Sequence, residues 1–72
     1  MSTDPTLTDM HKLAHLLEHW QDHNGEHAAN YRAWADKARE AGHPEAADLL
    51  LQAADATDKI TWFFGRARET LG

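Results

Sequence analysis

The stretch LAHLLEHWQDHNGEHAANYRAWADKAREAGHP, residues 13–44, carries two superposed periodicities and then a stop signal. One is a ladder of histidines, His11, His15, His19, His23 and His27, at a constant spacing of four, which on an α-helix sets each member one turn above the last. The other is the series Leu13, Leu17, Trp20, Asn24, His27, Tyr31, Trp34 and Ala38, which alternates steps of four and three as a heptad seam does. Both pass through Asn24-Gly25 in phase, whereas a turn would normally reset them, so a single long helix is expected. The competing reading is a three-helix bundle broken at Asn24-Gly25, a turn-favouring dipeptide whose glycine costs about 1 kcal/mol relative to alanine inside a helix. The stop follows at Ala41-Gly42, with glycine suited to a C-terminal cap, His43 placed to cap the next helix, Pro44 in its first turn and Glu45 complementing its dipole.

Working outward, Met1 to Leu7 read as a mobile lead-in, with Thr6 or Thr8 as N-cap and Asp9 in the first turn. Helix 1 is then expected over about 8–41, a tight turn over 42–44 and helix 2 over about 44–71, all in one domain spanning 1–72. The second helix repeats the pattern with Ala46, Leu50, Ala53, Thr57, Ile60, Phe64, Ala67 and Leu71, while Leu49, Trp62 and Phe63 widen its apolar face. The fold class is all-α, an antiparallel hairpin of two long helices. Closing it about Gly42 and Pro44 sets Trp34 near Leu50, Tyr31 near Ala53, His27 near Thr57 and Trp20 near Phe64. The apolar stripes exceed what one partner helix covers, so two hairpins are expected to pair as a homodimeric four-helix bundle.

Seventy-two residues allow only a modest core, and without cysteine neither disulfides nor thiolate metal sites are available to reinforce it. Twelve acidic against seven basic residues give a net charge of −5 with no basic stripe, which argues against a nucleic-acid partner. The first residues lack the apolar run of a signal peptide and no later segment reads as membrane-spanning, so a cytoplasmic protein with no membrane partner is expected. There is no HExxH, no glycine-rich phosphate loop and no nucleophile set beyond the lone Ser2, so the chain does not read as an enzyme.

The chemistry that the residues do offer is metal binding. Neutral imidazole ligates zinc, nickel, cobalt and copper, and two at i and i+4 can hold one ion from a single helix. The ladder winds through roughly 160° while climbing about 24 Å, so all five rings cannot share an ion. In the expected register Asn24 and His27 face Asp55, Thr57, Asp58 and Thr61, a polar layer in which His23, His27 and Asp58 form a candidate metal site. The other reading of that layer is a hydrogen-bonded network that sets register and oligomeric state. The candidate metal ligands are thus His11, His15, His19, His23, His27 and Asp58.

The segment His19-Trp20-Gln21-Asp22-His23-Asn24-Gly25-Glu26-His27, with Tyr31 to His43 after it, resembles a small uncharacterised helical-hairpin family of anaerobic bacteria and archaea with the motif H-W-x-x-H-N-x-E-H. Members of that family occur alone or attached to small nickel-handling proteins, so the resemblance implies a transition-metal role carried by His19, His23 and His27 and a metal-handling partner. Gly25 stands where the family more often has a helix former. Two functions are therefore expected, in order: storage, delivery or sensing of Ni²⁺, Zn²⁺, Co²⁺ or Cu²⁺, and a non-catalytic interaction module whose polar layer sets pairing.

Overall fold

The computed structural model describes the backbone of residues 5–72 and the side chains of residues 8–72. It consists of two helices, α1 (Pro5–Glu40) and α2 (Pro44–Thr70), packed along their length as an antiparallel hairpin. Its extents are 63 × 14 × 12 Å and its radius of gyration is 17.2 Å, against about 11 Å for a globule of this length. The molecule is a rod, and most of its side chains have no second layer to pack against.

α1 runs unbroken through Asn24-Gly25, so the three-helix alternative is not the fold. Gly25 faces open space, and the surrounding turns hold the glycine helical despite its propensity. The helix already includes Pro5, ahead of the expected start near residue 8, and proline is tolerated in a first turn because it gives up no hydrogen bond there. Thr6 and Thr8 therefore lie inside the helix, and Asp9 falls beyond the first turn. Of the expected lead-in, residues 1–4 lie outside the described residues. The turn is a Schellman closure: His43 N–H donates to the Ala38 carbonyl at 2.8 Å, Gly42 N–H donates to Arg39 at 3.1 Å, and Gly42 takes the positive φ of +87° that this closure requires. His43 occupies the N-cap position of α2 but makes no side-chain capping bond, leaving Pro44 and Glu45 to start the helix.

The seam between the helices differs from the expected one by a rotation of one residue at alternate positions. Leu17, Asn24, Tyr31 and Ala38 hold their places, but Ala14, Gln21, Ala28 and Ala35 replace Leu13, Trp20, His27 and Trp34. On α2, Leu50, Thr57 and Phe64 are kept, while Ala47, Ala54 and Thr61 replace Ala46, Ala53 and Ile60. The buried apolar residues among those described are Leu17, Ala28, Ala35, Ala47 and Ala54. Four are alanines, and the reason is steric: two helices alone cannot enclose an indole, whereas methyl groups let the backbones close and move the bulk to the flanks.

The expected polar layer changes with the seam. Asn24, Thr57 and Thr61 are half-buried. The threonine hydroxyls, however, donate within α2, Thr57 to the Ala53 carbonyl and Thr61 to the Thr57 carbonyl, both at 2.8 Å. No polar side chain among the described residues is fully buried.

Candidate functional site

Assigning Ala14, Gln21, Ala28 and Ala35 to heptad position a makes the two flanks of the hairpin chemically opposite. In an antiparallel pair the e positions of both helices share one flank and the g positions share the other. On the e flank Arg32 donates to Asp58 at 2.5 Å and to Asp55 at 3.1 Å, Arg39 donates to Asp48 at 2.8 Å, and Arg68 donates to Glu18 at 3.2 Å. The hydrogen bond to Asp58, then that to Asp55, raises the Arg32 guanidinium above its ordinary value. Its charge persists at every pH below that titration and the contribution is lost only above it, far from neutrality. All these groups are solvent-exposed, so the bridges orient the helices more than they stabilise them.

The g flank, with the neighbouring c positions, is apolar. On α2 it reads Ala46, Leu49, Ala53, Ala56, Ile60, Phe63 and Ala67, without a polar residue. On α1 it reads Leu13, Leu16 and Trp20, then His23, His27 and Asn30, then Trp34. These residues repeat every three and four along each helix, so they form a second seam that, among the described residues, no further helix covers. Leu49 is 65% exposed, Trp34 59%, Phe63 53% and Ile60 48%. Trp20 reaches over the first seam to Phe64, with ring centroids 5.5 Å apart, as the expected register required. Trp62 lies outside this second seam and packs edge-on against Phe63 at 5.2 Å. Lys37 sits over the Trp34 ring at 4.3 Å, a cation at the rim of the apolar strip.

The histidine ladder crosses the outer surface of α1 from one flank to the other. His11 and His15 lie near its start and are exposed, as are His19 and His23, while His27 is half-buried on the g flank. Three members stand in ring contact: His19 stacks on His23 at 5.8 Å, His23 meets His27 edge to face at 4.4 Å, and His27 stacks on Tyr31 at 5.9 Å. Among the described residues no group of three or more histidine, aspartate or glutamate side chains is arranged to hold one ion. The expected grouping of His23, His27 and Asp58 does not form, because Asp58 is on the opposite flank and is engaged by Arg32. What a single chain offers is paired imidazoles, His19 with His23 and His23 with His27.

Arg32 was not singled out from the sequence. The signal was available: Asp55 and Asp58 are three apart on α2, and in an antiparallel register both fall level with one α1 residue of opposite charge.

The geometry thus defines a helical hairpin with one charged and one apolar flank. The chain belongs to a family described as a domain of unknown function, DUF8180, which matches residues 13–71 and so contains both seams and every ladder histidine except His11. It is also similar to an uncharacterized protein of Archaeoglobus fulgidus, 36% identical over 63 residues that cover 88% of this chain and the whole of that relative. No solved structure matches. Among the described residues no helix is long and apolar enough to cross a membrane.

Proposed function

We propose that this chain is a non-catalytic self-association module whose second seam pairs with that of another copy to form a four-helix bundle. The observation that carries this reading is the strip from Leu13 to Trp34 on α1 and from Ala46 to Ala67 on α2, heptad-spaced and left open. Its dimensions suit a second copy: the strip runs about 32 Å along both helices and spans the 14 Å breadth of the rod, so an identical strip covers it over its whole length. Charge favours it as well. The chain carries a net −5, yet none of its acidic residues lies on the strip, so two copies meet there without opposing carboxylates. The hairpin also gains a core from the pairing, since among the described residues it fully buries no large side chain alone.

Sedimentation equilibrium of the wild type against an Ile60→Glu/Trp34→Glu variant tests the reading. The expected outcome is a dimeric wild type and a monomeric, still helical variant; equal masses for the two would refute it.

The imidazole contacts favour a second reading, binding of Ni²⁺, Zn²⁺, Co²⁺ or Cu²⁺ for storage, delivery or sensing. Its support is the 4.4 Å approach of His23 and His27, together with the H-W-x-x-H-N-x-E-H resemblance, which points toward nickel or cobalt and a metal-handling partner. Retention of Ni²⁺ or Co²⁺ in equilibrium dialysis by wild type but not by His23→Ala/His27→Ala is the expected result, and equal retention would reject it.

A further inference from the structure

The second seam has one polar interruption on α1, His23, His27 and Asn30, and it sits at the middle of the rod. Height along the hairpin is set by its cross-contacts: Arg39 meets Asp48 near the turn, Arg32 meets Asp55 and Asp58, and Glu18 meets Arg68 toward the open end. The overlapped region runs from about residue 14 of α1 to the turn, and Gly25 to His27 lie at its centre, level with α2 near Ile60. Two strips overlap fully when the twofold axis crosses the rod at that height. With α1 facing the second copy's α1 in antiparallel order, the axis passes between His23 and His27; Leu16 then faces the second copy's Trp34, Trp20 lies opposite Asn30, and the two apolar α2 strips face each other. Each histidine meets the other of the pair from the second copy. The alternative axis, parallel to the rod, sets the histidines against the wholly apolar α2 strip and leaves imidazoles buried beside Ile60 and Phe63 without partners, which costs free energy.

We infer that the dimer creates a transition-metal site at its twofold axis, formed by His23 and His27 from each of two copies, a four-imidazole set of the kind that Zn²⁺, Co²⁺, Cu²⁺ or Ni²⁺ accepts. The inference rests on the self-association reading and adds to it a ligand set, a stoichiometry and a reason for polar residues in the centre of an apolar strip. One chain supplies half a site: two rings already in contact at 4.4 Å, held on adjacent turns of an unbroken helix. Symmetry supplies the other half. His19 and Tyr31, stacked on either side of the pair, hold the two rings at a fixed pitch, which lowers the ordering cost of coordination.

The test titrates Co²⁺ and Zn²⁺ into untagged, metal-free protein, following the visible absorption of Co²⁺ and the mass in parallel. The expected result is one ion per two chains, with a tetrahedral Co²⁺ spectrum and an affinity at least a hundredfold above that of a single-helix histidine pair. His23→Gln/His27→Gln is expected to remain dimeric and lose that affinity, whereas Ile60→Glu/Trp34→Glu loses both. A dimeric wild type that takes up no Co²⁺ or Zn²⁺, or takes one ion per chain, overturns the shared site and leaves self-association standing. A monomeric wild type overturns both.

Discussion

Replacing Ile60 with alanine separates what the hairpin gains within itself from what it gains by pairing. Ile60 lies at the centre of the second seam, and 48% of its surface remains open in the hairpin. Truncating a fully buried isoleucine to alanine costs about 2–5 kcal/mol in lost transfer energy and residual cavity. The covered half of that cost, about 1–2.5 kcal/mol, falls on the hairpin itself. The open half is felt only on pairing, and because a twofold interface contains the side chain twice, it amounts to about 2–5 kcal/mol per dimer, or roughly 30- to 5,000-fold in the dissociation constant. The change can be followed by dilution, using Trp20 and Trp34 fluorescence and sedimentation equilibrium, with circular dichroism confirming that helix content is kept. An Ile60→Ala dissociation constant within about threefold of wild type would refute the reasoning, because a side chain at the centre of the interface cannot be truncated without effect.

Gly25→Ala is expected to raise stability by about 0.5–1 kcal/mol, or about 3–6 °C in thermal melts, since the added methyl meets nothing within 4 Å and removes a helix-interior glycine. Gly42→Ala is expected to lower stability by about 1–2 kcal/mol, because an L-residue must then adopt the φ of +87° that closes the turn; an unchanged melt would show that the closure relaxes. Arg32→Ala, on the charged flank, should leave the dimer dissociation constant within about twofold, and a large change would place the interface on the wrong side. Zn²⁺ affinity should weaken as the pH falls, because ligation needs neutral imidazoles and protons compete for the same nitrogens; a flat profile would exclude histidine ligation.

Much of this fold was legible in the sequence because its signals are local. The glycine stop, the proline start of α2 and the in-phase patterns across Gly25 each act within a turn or two of helix, and the hairpin follows from them. The rotation of the seam was not legible, since a wide apolar stripe satisfies two heptad frames one residue apart. Choosing between them depends on how closely two backbones can approach, where alanine wins over tryptophan although tryptophan carries the larger hydrophobic signal. The same rotation explains the candidate site. The adjacency of His19, His23 and His27 is a property of one helix and was readable from spacing, whereas the place of Asp58 depended on the frame and moved to Arg32 on the other flank. The surplus apolar width that argued for a second hairpin is the surface that the rotation leaves open.

A chain without cysteine permits a direct measurement of how two copies meet. Ile60→Cys puts one thiol at the centre of the second seam, and Asp55→Cys puts one on the charged flank as a control. Under mild oxidation at low protein concentration, Ile60→Cys should convert rapidly and almost completely to a disulfide-linked species of twice the 8.1 kDa chain mass, while Asp55→Cys should stay largely uncoupled. Equal or slower coupling at position 60 would contradict the account.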